Sequence, residues 1–134
     1  MSGKQIKAKD ILTTVENLVI EANTVLSEDV VQCLQESLKN EDSSIGQDIL
    51  RQLLENAAIA KKEKLPLCQD TGIVVVFLEI GQEVCVVEGN LVSAVNEAVR
   101  SGYKKVKFRP SSVDPLTRMN LGDNASVIIH TEMV

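Results

Sequence analysis

The chain has 134 residues, 44% of them hydrophobic and 25% charged, a mixture typical of a folded globular domain and unlike that of a disordered chain. Aromatic residues make up only 2%, which leaves few rings to stack on bases, and the net charge of −5 disfavours phosphate backbones and anionic membranes. We therefore expect neither nucleic acid nor a membrane as a partner. A small anion remains possible, because segment 100–109 carries five basic residues.

The polar N-terminus and the cysteines predict the cellular location. No run approaches the roughly 18 apolar residues that a membrane span requires, and the first ten residues lack the apolar core of a signal peptide. Cys33, Cys68 and Cys85 are odd in number and widely spaced, which disfavours a secreted disulfide framework. We expect a cytoplasmic protein whose cysteines are reduced thiols or metal ligands.

Apolar residues at intervals of three and four predict three helices in the first half of the chain. The first spans Asp10 to Val25. The second is capped by Ser27 and ends near Asn40. The third begins with a capping box formed by Ser44 and Gln47. Its predicted buried stripe consists of Ile49, Leu50, Leu53, Leu54, Ala57 and Ala58.

The second half is predicted to be rich in strands. The apolar runs Ile73 to Ile80 and Val84 to Val87 are separated by Gly81 and Gln82, which predicts a hairpin. Asn90 then caps a fourth helix that Gly102 ends. The inward face of this helix is predicted to contain Leu91, Val92, Val95, Ala98 and Val99.

Residues 104–123 are predicted to form a long loop, and Ala125 to Val134 a final strand. Because the sequence stops within this β-forming segment, we expect the domain to be truncated at its C-terminus. The predicted fold class is α+β, with an N-terminal helical bundle packed on a mixed β-sheet. A helical segment 1–64 and a β-rich segment 65–134 with one helix are expected to form one domain.

A compact set of polar groups lies between the third helix and the first apolar strand, in the sequence Leu65-Pro-Leu-Cys-Gln-Asp-Thr-Gly72. Such junctions often carry functional sites. The residue types alone leave a plain alternative, in which Cys68 is a buried small side chain, Gln69 and Asp70 are turn residues and Gly72 is a hinge.

The string Pro-Leu-Cys-Gln-Asp-Thr-Gly, followed by an apolar strand, resembles the N-terminal region of class I fumarate hydratases and L-tartrate dehydratases. Residues 120–124, Asn-Leu-Gly-Asp-Asn, and the strand after them resemble that family's Asn-Thr-Gly-Asp-Asn segment. Between the two, Phe108 to Ser112 lie where the family has an arginine-containing loop. The resemblance extends over most of residues 45–134 and is weaker in the helices before them.

The resemblance implies a hydro-lyase that reversibly hydrates a small dicarboxylate, with fumarate the first candidate substrate and tartrate the second. It implies a [4Fe-4S] cluster with Cys68 as one ligand, while the other two cysteine ligands lie outside this chain. It assigns Gln69 and Asp70 to substrate hydrogen bonding and Arg109 to a substrate carboxylate. An alternative is that Asp70 orients Arg109.

No residue of the chain is assigned as the proton-abstracting group, which the family resemblance places in a β subunit or C-terminal β domain. We therefore expect this chain to be inactive alone and to act within an oligomer. The second hypothesis is a non-catalytic binding module that keeps the family scaffold. A thiol-redox or zinc protein is disfavoured, because there is no Cys-x-x-Cys pair and only one histidine.

Other reactive residues receive structural interpretations. Cys33 within a helix and Cys85 within a strand are interpreted as ordinary thiols. His130, on the last strand, is predicted to be a structural, hydrogen-bonded side chain rather than an acid or base. Residues 122–124 are predicted to form a tight turn before any part of a site wall, and the lysines at 104, 105 and 107 a solvated face.

Overall fold

The computed structural model describes residues 3–125 and 127–134, which contain four helices and four short strands, so the predicted α+β class is confirmed. In chain order the elements are β1 (Lys4–Lys7), α1 (Ala8–Thr24), α2 (Glu28–Asn40), α3 (Ser44–Glu63), β2 (Val75–Ile80), β3 (Val84–Val87), α4 (Leu91–Lys105) and β4 (Ile128–Met133). Within the described residues, every helix is too short or too polar to cross a lipid bilayer.

The chain divides into two compact units. The first comprises the described residues of Met1–Ile20 and Asp70–Val134, and the second is Glu21–Gln69. The second unit is thus inserted, in sequence, between the two parts of the first. The organisation expected from the sequence, segments 1–64 and 65–134 within one domain, stays a prediction.

The core of the first unit lies where α1 packs against α4. Val95 and Val99 on α4 are completely buried. From β2 and β4, Val76 and Ile129 pack against this core with their partly buried side chains. The buried core cluster consists of Val15, Val19, Val95, Ala98, Val99, Tyr103 and Phe108. As the low aromatic content requires, aliphatic side chains form most of this core.

Both sheets consist of two parallel strands, and the predicted hairpin is wrong. β2 pairs with β4, with Val75 opposite Ile128, whereas β3 pairs with β1, with Val84 opposite Lys4. The runs that form β2 and β3 have the composition of strands, but composition does not specify a partner. Parallel pairing also needs a long crossover connection, which the three residues between β2 and β3 do not provide. The polar strand β1 was not predicted.

Helix α4 begins as predicted but extends further. The Oδ1 atom of Asn90 accepts a hydrogen bond from the Ser93 backbone N–H at 3.0 Å and caps the helix. Gly102 was predicted to end α4, but it lies within the helix and is buried. A Cβ atom added there would lie 3.4 Å from the carbonyl oxygen of Glu16, so this glycine permits close approach of α1. Val92, predicted to face inward, is 52% exposed.

In the second unit, α2 starts after Ser27 and ends at Asn40, as predicted, and packs against α3, but the Ser27 side chain makes no capping hydrogen bond. The cap of α3 is Ser43, not Ser44, and its side chain accepts from the Gly46 N–H. Gln47 instead donates to the carbonyl of residue 41 at 2.7 Å. The predicted stripe on α3 is buried at Ala57, but Ile49, Leu53 and Ala58 are exposed. Where two helices pack against each other, only the residues along their line of contact are buried, so part of a broad apolar stripe stays exposed.

Replacing Val99 with alanine tests the core. The V99A substitution removes two buried carbon atoms and leaves a cavity, and we expect it to lower the free energy of unfolding by about 2 to 3 kcal/mol. The matched control is V92A on the exposed side of the same helix, for which we expect a change below about 0.5 kcal/mol. Urea unfolding followed by circular dichroism measures both values. Equal effects would show that α4 does not pack as described.

Candidate functional site

The segment before Cys68 is held by hydrogen bonds within the second unit. The Leu67 backbone N–H donates to the carbonyl of Asn23 at 2.8 Å, and the Leu67 carbonyl accepts from the Asn56 side chain at 3.0 Å. Cys68 and Gln69 follow directly and are both exposed. Cys68 is a free thiol. The plain alternative of a buried small side chain is therefore wrong for Cys68, which is an exposed residue.

The second part of the first unit begins at Asp70, and residues 70–72 form a turn that a side chain stabilises. The Oδ1 atom of Asp70 accepts a hydrogen bond from the Gly72 N–H at 3.1 Å, so the turn interpretation of Asp70 is confirmed. Gly72 has φ +64°, in the left-handed region that favours glycine. A Cβ atom at Gly72 would meet nothing within 4 Å, so the backbone conformation and not space is the reason for glycine here.

Thr71 joins this turn to the segment that carries Arg109. Its hydroxyl donates to the Arg109 carbonyl at 2.9 Å and lies 3.3 Å from the Ser111 hydroxyl. Its own carbonyl accepts from the Tyr103 hydroxyl on α4 at 3.1 Å. Asp70 and Arg109, both predicted to bind substrate, therefore lie on two segments that are directly hydrogen-bonded to each other. Both residues are exposed.

Asn124 holds the same two segments from below the surface. It is only 1% exposed. Its amide nitrogen donates to the Gly72 carbonyl at 2.7 Å and to the Ser111 hydroxyl at 3.5 Å, and its Oδ1 atom accepts from the Ser112 N–H at 3.1 Å. An asparagine suits this position, because an amide both donates and accepts.

Sequence reasoning missed the importance of Thr71 and Asn124. Asn124 was interpreted as a turn residue, and its neighbour Asp123 does form the local turn by accepting from the Ala125 N–H at 3.1 Å. The available signal was an asparagine between a predicted turn and a predicted strand, a position at which the amide has to be buried. A buried amide must find partners, but the sequence does not show which ones.

The loop between the two motifs is built from local hydrogen bonds. Val113 and Asn120 form an antiparallel bridge. The Asn120 side chain donates to the Pro110 carbonyl at 2.8 Å and accepts from the Gly122 N–H at 2.7 Å. Asp114 accepts from two main-chain N–H groups and a hydroxyl in the next turn, chiefly from Thr117, and these bonds lower the pKa of its carboxyl.

An ion pair neutralises part of the basic segment near Arg109. The Nε atom of Arg100 lies 2.9 Å from Oδ2 of Asp123. The hydrogen bond from Arg100, together with the one from the Ala125 N–H, lowers the pKa of Asp123. Arg100 also pairs with Glu97 one turn earlier on α4. Arg109, by contrast, takes no part in the ion pairs of the described residues, so the pair with Asp70 considered above is not formed.

The remaining candidates lie elsewhere. His130 on β4 faces Phe77 on β2, with the rings stacked at a centroid distance of 5.0 Å. Cys33 is on α2 and Cys85 on β3, and both are exposed free thiols. Among residues 3–125 and 127–134, no three His, Cys, Asp or Glu side chains come together as a possible metal site.

Removing the Asn124 amide tests the network. The N124A substitution leaves the Gly72 carbonyl and the Ser112 N–H without their partner in two part-buried hydrogen bonds and empties a buried position, so we expect the free energy of unfolding to fall by about 2 to 4 kcal/mol. Asn120 is the matched control, since it also makes two side-chain hydrogen bonds but is exposed; we expect N120A to cost less than about 1 kcal/mol. Chemical unfolding gives both numbers. A cost for N124A no larger than that for N120A would contradict the burial of this amide.

The Asp123 pair predicts a pH dependence. Because the folded state lowers the pKa of Asp123, the pair stabilises the fold fully above the unfolded pKa of about 3.9 and loses this effect as the pH falls through the lower folded pKa. We expect the stability difference between the natural chain and D123N to be constant between about pH 5 and 7 and to shrink below about pH 4. Unfolding curves at several pH values measure it. A difference that grows on acidification would reverse the assigned sign.

Comparison with known proteins identifies the relatives of this chain. The family model described as fumarate hydratase (Fumerase) matches residues 12–134. A putative L(+)-tartrate dehydratase subunit alpha of Methanocaldococcus jannaschii is 38% identical over 118 residues, which are 87% of this chain and 41% of the relative. The L(+)-tartrate dehydratase subunit alpha of Escherichia coli K12 is 29% identical over 123 residues, which are 92% of this chain and 40% of the relative.

The chain therefore spans about two fifths of the length of these relatives. The match includes both motifs described above, the one around Cys68 and the one that ends at Asn124, together with the arginine-containing segment between them. Since the family model covers nearly the whole sequence, the resemblance predicted from these residues is confirmed, and the chain belongs to the fumarate hydratase (Fumerase) family.

Proposed function

We propose that this chain is the N-terminal part of an iron-sulfur hydro-lyase that adds water to, or removes it from, a small dicarboxylate. The observation that carries the proposal is the direct hydrogen bonding between the turn of Asp70 and the segment of Arg109. This bonding keeps a carboxylate and a guanidinium group on adjacent backbone segments at the surface. Family membership supports the hydro-lyase class.

The chemistry of Cys68 fits one ligand of an iron-sulfur cluster. Cys68 is exposed and its thiol is free. It follows Leu67, whose backbone N–H and carbonyl are both hydrogen-bonded. The other two thiols of the chain lie on α2 and β3, and the described residues bring no three metal-binding side chains together. We propose that Cys68 supplies one ligand and that polypeptide outside this sequence supplies the other two.

When bound, a [4Fe-4S] cluster with one open iron supplies a Lewis acid for the hydroxyl group of the substrate. The residues of this chain bind and orient. Arg109 pairs with a substrate carboxylate through the two-pronged geometry of its guanidinium group. Gln69 and Asp70 hydrogen-bond the substrate, and the Gly72 N–H fixes the Asp70 carboxylate through one of its oxygens.

The proton-abstracting group is proposed to belong to a partner, either a β subunit or a C-terminal β domain of the complete enzyme, which acts as an oligomer. The names of the relatives support this, since both are called subunit alpha. We further propose a cytoplasmic location, because the three free thiols suit a reducing compartment.

Two dicarboxylates are candidate substrates. The family description names fumarate hydratase, whereas the relatives at 38% and 29% identity are named as tartrate dehydratases. Either substrate offers a carboxylate to Arg109. Comparing kcat/KM for fumarate and for L-tartrate on the assembled enzyme separates them. Turnover of neither substrate would favour the second hypothesis, a non-catalytic binding module on the same scaffold.

The cysteine assignment is tested by replacing single thiols in the full-length protein assembled with its partner under anaerobic conditions. We expect C68S to abolish the iron and sulfide content, the visible absorption of the cluster and the hydration activity, because the serine oxygen is a poor substitute for a thiolate ligand. C33S and C85S are matched controls, since both remove an exposed free thiol. We expect both controls to keep the cluster and the activity. Full cluster content and activity in C68S would disprove the assignment.

A further inference from the structure

We propose that Thr71 is a positioning residue for the substrate-binding groups: it does not touch the substrate but sets the Arg109 segment against the turn of Asp70 through an ordered chain of hydrogen bonds. The inference rests on the proposed function, because it concerns how Arg109 and Asp70 come to act on one dicarboxylate. It goes beyond that function by assigning a role to residues that bind nothing themselves.

The direction of this chain of hydrogen bonds follows from counting hydroxyl protons. Thr71 has one hydroxyl proton and donates it to the Arg109 carbonyl at 2.9 Å. In the 3.3 Å contact between the two hydroxyls, Ser111 must therefore be the donor and Thr71 the acceptor. Ser111 in turn accepts from the Asn124 amide nitrogen at 3.5 Å. The protons thus point in one direction, from Asn124 through Ser111 and Thr71 to Arg109.

The chain begins at a buried group and ends at an exposed one. Asn124 is 1% exposed and has its amide fixed on the Gly72 carbonyl and the Ser112 N–H, whereas Arg109 is exposed. The order of the interior is therefore transmitted to the backbone from which the Arg109 side chain extends. A long, flexible side chain binds its ligand with less loss of entropy when its backbone is fixed.

Helix α4 also holds the two backbone segments that this chain of hydrogen bonds connects. The Tyr103 hydroxyl donates to the Thr71 carbonyl at 3.1 Å. The ring of Tyr103 lies edge-on to Phe108 at a centroid distance of 5.6 Å, and the Phe108 N–H donates to the Tyr103 carbonyl at 2.9 Å. Because Phe108 immediately precedes Arg109, one buried tyrosine on α4 holds both segments that Thr71 connects.

The expected consequence is a change in KM and not in kcat. If Arg109 binds the substrate carboxylate equally in the ground state and the transition state, its misplacement raises KM and leaves kcat nearly unchanged. A purely structural role would instead reduce the fraction of folded enzyme and therefore the apparent kcat, without moving KM. The two kinetic constants thus separate positioning from stability.

The test uses the full-length, cluster-loaded enzyme with its partner. We expect T71V, which keeps the shape but removes the hydroxyl, to raise KM and the Kd of succinate, an unreactive dicarboxylate, by about tenfold. T71S restores the hydroxyl and should stay within about twofold of the natural enzyme. T13V is the matched control, because the Thr13 hydroxyl also donates to a backbone carbonyl, that of Lys9 on α1, away from this network. It should change neither constant.

The inference is overturned if T71V keeps the natural KM and succinate Kd. Should T71V fail to assemble, S111A removes the preceding donor of the chain, and natural values for S111A overturn the inference equally. R109Q separates this failure from failure of the proposed function. If R109Q also leaves KM and Kd unchanged, Arg109 does not bind substrate and the proposed function is wrong at that residue; if R109Q weakens binding while T71V and S111A do not, only the positioning role is lost.

Discussion

The geometry of the candidate site depends on the buried amide of Asn124. Its donor and acceptor groups satisfy the Gly72 carbonyl and the Ser112 N–H, which belong to two segments far apart in sequence. An unpaired buried polar group is costly, so each partner restricts the others to one arrangement. Throughout the described residues, the buried side-chain nitrogen and oxygen atoms all have a partner. Exposed groups such as Arg109 can then be held on loops that are fixed from inside.

Helix α4 connects this network to the hydrophobic core. Its middle residues, Val95 and Val99, are buried against α1, while Tyr103 near its end donates to the backbone of Thr71. Arg100, on another side of the helix, pairs with Asp123 next to the buried amide. Core packing and site geometry therefore share one rigid element. The glycine at position 102 allows this helix to approach α1 closely while its final turn reaches the loops.

Local patterns predicted local structure, and the long-range connections were the part they could not predict. Apolar periodicity located all four helices, and a polar side chain before α4 marked its start. The pairing of β2 with β4 was missed, because alternation and β-branching describe a strand without naming its neighbour. Thr71 and Asn124 were undervalued for the same reason, since their partners lie on distant segments. Cys68 was found through family resemblance; its residue type alone allowed a buried thiol.

The parallel pairing of the strands also shapes the route by which the chain can fold. One sheet requires Lys4 to meet Val84 and the other requires Val75 to meet Ile128, so neither can start from a hairpin. Loop closure over such separations is entropically unfavourable and slows folding, whereas α2 and α3 are adjacent in sequence and meet through a short connection. The inserted helical unit is thus expected to gain order early, and the loops that carry Arg109 and Asn124 acquire theirs only when the last strand has docked.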